Sequence, residues 1–283
     1  MIEAFGIEGG VSRLIDAGFD AIDYSFFGDI SFCHGKDGLA LARKLRKMAE
    51  DRGVVFNQAH APFGGGYDNY TTKLIPTFPD VFEFCSALGV KHIVVHPLQR
   101  GRYYGHEEEL FNMNMDFYSS LVPLSERTGV KICIENMWQT HLIKKVIVDD
   151  VCADPYELCK YYDTLNDPRH FTVCLDIGHV ALSGREPEDA VKIIGHDRLG
   201  ALHVHDVDYV SDLHTLPGTA RVDHYAVARA LGEIDYKGEY TLEADNFLVN
   251  YSNEHKPIAA KFMADTARHF ANVVDSNRPQ ANK

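Results

Sequence analysis

The chain has 283 residues, 45% hydrophobic and 24% charged, an ordinary balance for a soluble globular protein, and a single α/β barrel of about 250 residues would use nearly all of it. Its formal charge of −13 argues against a broad electrostatic grip on nucleic acid or an anionic membrane, and no run of about 18 apolar residues offers a membrane span. The six cysteines contain no C-x-x-C pair and the N-terminus lacks a basic segment followed by an apolar one, so a reducing, cytoplasmic compartment is expected.

Along the chain one phrase recurs: a turn residue, a β-branched or aromatic run, then a polar residue. It reads AGFDAIDY from 17, RGVVFNQAH from 52, LGVKHIVVH from 88, TGVKICIEN from 128, RHFTVCLDI from 169, DRLGALHVH from 197 and YKGEYTLEA from 236. These spacings fit a strand, a loop, a helix and a return loop. The segments between them, among them GLALARKLRKMAED and PEDAVKIIG, carry apolar residues at helical three- and four-residue spacing. Met1 to Ile7 supplies an eighth strand. Apolar strands alternating with helices predict a parallel sheet buried on both faces, and a doubly wound open sheet is disfavoured because the glycines at 64–66 lack the phosphate-turn spacing. The expectation is a single-domain α/β (β/α)8 TIM barrel over residues 1–274 with a polar tail over 275–283.

In a barrel, functional groups come from the C-terminal ends of the strands. Those ends read Asp23, His60, His96, Glu135, Asp176, His205 and Glu243. Buried carboxylates converging on one ring repel one another and resist ionisation, a conflict that a divalent cation resolves. Glu135, Asp176 and Glu243 as oxygen donors with His205 as a nitrogen donor suit Mn2+ or Zn2+ better than Mg2+ or Ca2+.

The words HAPF (60–63), VVHP (94–97), IEN (134–136), LDIGH (175–179), HVHDVD (203–208), DLHTLPG (212–218) and LEAD (242–245) stand in an order that resembles the xylose isomerase-like barrels, over almost the whole chain. That superfamily includes sugar isomerases and epimerases, inosose dehydratases and endonuclease IV. Similarity to its sugar epimerases implies metal ligands at Glu135, Asp176, His205 and Glu243, with His179 on substrate oxygens. His205 is preferred over His203 because it is nearer the mouth and is followed three residues on by Asp208, leaving His203 as a layer residue. Where the ketose 3-epimerases carry a glutamate and an arginine, this chain has His141 and Ser211, and Arg221 takes the role of reaching substrate. The resemblance to endonuclease IV implies additional ligands at His60, His96, His179, Asp212 and His214, although IENMWQTHL lacks that branch's glycine-containing continuation.

The resulting expectation is a carbohydrate substrate held with its C–H bonds between Glu135 and Glu243, which exchange a proton through an enediolate. His60, His96, His179, Trp138 and Arg221 are the expected substrate contacts. One tightly bound ion is expected. The alternatives are a zinc-dependent phosphoesterase resembling endonuclease IV, and a metal-containing subunit of a carbohydrate-processing complex. Self-association into a homo-oligomer is compatible with the sequence.

Overall fold

A computed structural model describes residues 1–279. The chain forms two compact units, one of Met1–Ile134 with Leu165–Thr172, the other of Glu135–Thr164 with Val173 onwards.

The first unit runs α1 (Ile2–Ala17), β1 (Ala21–Ser25), α2 (Gly35–Glu50), β2 (Val55–His60), α3 (Gly66–Asn69), α4 (Phe78–Leu88), β3 (His92–Val95), α5 (Glu107–Thr128) and β4 (Lys131–Glu135), whose final residue opens the second unit. Neighbouring strands pair in parallel in chain order, with His60 level with Val94 and Val95 level with Ile134. Ile93, Val94, Ile132 and Ile134 of the strands and Val81, Phe82, Phe84 and Leu88 of α4 are all buried, each such side chain contributing roughly 1.5–3 kcal/mol. The segment Met1 to Ile7, expected as a strand, instead lies in α1, which has a break at Gly6. Ile7, Val11 and Ile15 repeat at four-residue spacing, and the Arg13 guanidinium covers the Phe5 ring at 3.8 Å, so the local pattern is helical.

The second unit holds an antiparallel hairpin of β5 (Trp138–Thr140) and β6 (Ile147–Asp149), then α6 (Pro155–Leu165) and β7 (Phe171–Asp176), each of which shares residues with the first unit. α7 (Ile177–Leu182), α8 (Pro187–Ile194), β8 (Leu199–His203), α9 (His224–Glu233) and α10 (Lys256–Ser276) complete it. β7 and β8 are parallel, and their register sets Asp176 opposite His203. The last phrase seen in the sequence is reduced to a bridge between Val204 and Leu242, held by Val204 N–H to Thr241 O (2.9 Å) and Glu243 N–H to Val204 O (3.0 Å). The expected tail is partly structured: Asp275 and Ser276 end α10, and Arg278 bonds Asp275 at 2.8 Å and Asp235 at 3.3 Å. Residues 280–283 of that tail lie outside the described residues. Among the described residues no helix is long and apolar enough to cross a membrane.

Candidate metal centre

Asp176 ends β7 and caps α7, its Oδ1 accepting the His179 N–H at 2.6 Å. Asn136 fastens this turn. Its side-chain oxygen accepts the Asp176 N–H at 2.8 Å, its Nδ2 donates to the Asp176 carbonyl at 3.0 Å, and its own carbonyl is 2.8 Å from His179 Nδ1. Asn136 thus fixes Asp176 through its side-chain amide and orients the His179 ring through its backbone carbonyl.

Two donor groups of four residues result within the second unit, each with ligand atoms within 4.8 Å of one another. The first is Glu135, Asp176, His203 and Glu243, and the second is His179, His205, Asp212 and His214. In the first, His203 Nδ1 lies 2.5 Å from Glu135 Oε1 and 3.3 Å from Glu243 Oε2. In the second, Asp212 lies 3.1 Å from His214 Nε2 and 3.7 Å from His179 Nε2. His205 links the two, with Nε2 at 3.0 and 3.2 Å from the Asp176 oxygens. The His205 ring stacks on His214 at 4.1 Å, and the face of Gly178 leaves no room beside it: a Cβ there would lie 2.1 Å from His205 Cε1. His205 Nδ1 and Asp212 Oδ1 are buried without a hydrogen-bond partner among the described residues.

The electrostatics separate the groups. Burial pushes the Glu243 carboxyl up, the charges of Glu135 and Asp176 add to the rise, and His203 opposes it. Burial likewise acts to raise Asp176 and Asp212, but the imidazoles beside each outweigh it and hold both well below the usual carboxylate range. Burial would lower His179, yet Asp176 and Asp212 hold it at about 10. His214, opposed by burial in the same way, is held at about 9 by Asp212 and Glu243.

The grouping differs from the expectation for the histidine of HVH. His203, expected as a layer residue, sits with the three carboxylates because the β7–β8 register places it level with Asp176. His205 follows two residues later, past the end of β8, and reaches back to Asp176 from among the second group. The buried acid is also Asp206 rather than Asp208. Asp206 accepts N–H bonds from Val207, Gly218, Ala220, Arg221 and Val222 at 2.8–2.9 Å, whereas Asp208 caps the exposed turn at Val210 and Ser211. The three-residue spacing that relates His205 to Asp208 equally relates His203 to Asp206, and was the signal for both.

Trp138 is half-buried, its ring 6.3 Å from that of His179. Arg221 is exposed, and its backbone N–H is tied to Asp206 and to Val207 O. His141 Nδ1 accepts the N–H groups of Ile143 and Lys144 in the hairpin turn. His60 and His96 lie in the first unit, their Nε2 atoms 3.0 Å apart.

The family model described as Xylose isomerase-like TIM barrel matches residues 11–264. An uncharacterised protein of Methanocaldococcus jannaschii, MJ1311, is 26% identical over 224 residues, which is 76% of this chain and 73% of that one. Among solved structures, a D-tagatose 3-epimerase-like protein superposes with a TM-score of 0.74 at 19% identity, covering 95% of both chains. The IolI protein, solved with a bound zinc atom, gives 0.67 at 18% identity over 96% of this chain and 93% of that one. The fold is the α/β TIM barrel that the recurring strand phrase predicts.

Proposed function

Since the chain belongs to the xylose isomerase-like TIM-barrel family, we propose that it is a divalent-metal-dependent isomerase or epimerase of a sugar or sugar phosphate. The observation that carries the reading is the pair of carboxylates, fully buried Glu135 and half-buried Glu243, both in reach of one imidazole edge at His203 Nδ1. The similarity to a D-tagatose 3-epimerase-like protein supports the same chemistry.

The donor set fits a metal ion. Glu135, Asp176 and Glu243 bring three carboxylates against the single imidazole of His203, an excess of negative charge that burial makes costly. A mixed oxygen and nitrogen set suits Mn2+ or Zn2+, with His205 available to Asp176 from the other side. A divalent ion there would polarise a substrate carbonyl. The chain's own residues do the rest. One of Glu135 and Glu243 removes the proton from the carbon next to the carbonyl and the other returns one from the opposite face. His179, oriented through Nδ1 by the Asn136 carbonyl, presents Nε2 to stabilise developing negative charge on oxygen.

In D2O the metal-loaded protein should exchange a carbon-bound proton of a ketose or its phosphate. Glu135→Gln and Glu243→Gln should each slow that exchange by about 10²–10⁴-fold. Exchange that survives both substitutions excludes the mechanism. A second reading, a zinc-dependent phosphoesterase, is favoured by the group His179, His205, Asp212 and His214. Cleavage of an abasic-site duplex, lost in His214→Ala, would select it, and no cleavage by zinc-loaded protein removes it.

A further inference from the structure

β5 and β6 have three residues each, and a two-stranded hairpin of that length is at best marginally stable by itself, so its position depends on what anchors it. The anchor is not at the tip, where Leu142, Ile143 and Val146 are exposed, Ile143 at 86%. At the base Met137 N–H donates to the Val151 carbonyl at 3.1 Å, and the register sets Trp138 level with Asp149. Directly opposed residues of an antiparallel pair put their side chains on the same face, so whatever holds Asp149 also holds Trp138.

Arg185 holds Asp149. Its Nη1 and Nη2 donate to the two Asp149 oxygens at 2.7 and 2.9 Å, a forked pair whose side chains are less than a third exposed, at 29% and 21%. The guanidinium also donates to the Ser183 carbonyl at 3.1 Å and comes within 3.9 Å of Asp154, just before α6. The arm that carries it is the turn that ends α7: Gly184 takes a left-handed φ of 72°, and Arg185 N–H closes back on the Val180 carbonyl at 3.3 Å. α7 is also the helix of His179, whose ring meets that of Trp138 edge to face, with centroids 6.3 Å apart and planes at 81°. One short helix therefore carries both the imidazole and, just past its end, the cation that ties down the indole beside it. All of these residues belong to the second unit.

We propose that Arg185 is a positioning residue: through Asp149 it sets the β5–β6 hairpin so that Trp138 stands against His179. Released, the hairpin would swing on its base, and water would reach an imidazole that is 6% exposed with the indole in place. A group that stabilises developing charge does so less well when open to water than in a dry, preorganised site. The consequence for proton exchange rests on the isomerase reading, whereas the setting of the hairpin does not.

Trp138 is the only tryptophan of the chain, so its fluorescence reports on the hairpin alone. In the full-length protein, acrylamide quenching of that fluorescence should rise about twofold in Arg185→Gln and in Asp149→Asn, and by less in Arg185→Lys, which keeps the charge but not the fork. The Arg185→Gln/Asp149→Asn double variant should be quenched no more than either single one, because both remove the same contact. Arg198→Gln breaks a forked pair with Asp163, at 2.8 and 2.9 Å, and should leave quenching at the wild-type value. Proton exchange from a ketose in D2O should fall about 10-fold or more in Arg185→Gln. Quenching unchanged in Arg185→Gln and Asp149→Asn, quenching raised as much by Arg198→Gln, or exchange at the wild-type rate in a variant whose quenching has risen would overturn the proposal. Exchange absent from the wild type as well, with quenching shifted as expected, would count against the isomerase reading alone.

Discussion

The His205 ring is gripped on two sides, by the stacked His214 ring and by the bare face of Gly178. A methyl group at 178 would overlap it, so Gly178→Ala must displace the imidazole from Asp176 even though alanine suits a helix better than glycine. Misplacement of about 1 Å at a reacting centre costs on the order of 100-fold, and that loss of proton exchange is expected with unchanged circular dichroism. An exchange rate within a factor of two or so of wild type would show that His205 has no part in the reaction. At this scale the carboxylates Glu135, Asp176 and Glu243 were legible in the sequence, because each ends an apolar run with a charge that needs a reason. The histidine was not. Alternation in HVH puts both rings on one side of the strand, and only the register of β7 against β8 assigns their depths. Asn136 was overlooked because an amide beside a glutamate carries no charge signal, although its bonds fix the Asp176 turn.

Between β8 and α9 the chain runs through a long irregular loop, and Asp206 gives that loop its shape by accepting five backbone N–H groups with two oxygens. Burial acts to raise its pKa, but His224 and the N–H groups of Val222 and Ala220 win and bring it from 3.8 to about 2. Since the folded value is depressed, Asp206 stabilises the fold above pH 4 or so, and that stability is lost as pH falls through about 2. Urea unfolding of wild type and Asp206→Asn should therefore show a difference that narrows by about 2 kcal/mol as the pH falls from 5 towards 2. A difference independent of pH would mean that the carboxylate charge is not what holds the loop. Six of the seven strand phrases became strands because β-branched runs between turn residues leave little choice. The last became a single bridge at Leu242, and Met1 to Ile7 became helix, since a strand needs a partner that the sequence cannot name. The β5–β6 hairpin escaped notice because strands of three residues carry no period.

Across the second unit, the balance of carboxylate and imidazole distinguishes the two donor groups. Glu135, Asp176 and Glu243 share a group with one imidazole, His203, whereas Asp212 shares the other with His179, His205 and His214, although His205 also reaches Asp176 at 3.0 Å and His214 lies 3.8 Å from Glu243. The first group therefore carries the larger excess of carboxylate over imidazole. The fold and the family were legible from the order of short words along the whole chain, but the partition of histidines between two groups needed the three-dimensional arrangement. Elemental analysis of protein purified without added metal measures the outcome directly. One divalent ion per chain is predicted, lost in Asp176→Ala, with His214→Ala leaving the stoichiometry at one. Three zinc ions per chain, or one ion retained in Asp176→Ala, would contradict a single centre built on Glu135, Asp176 and Glu243.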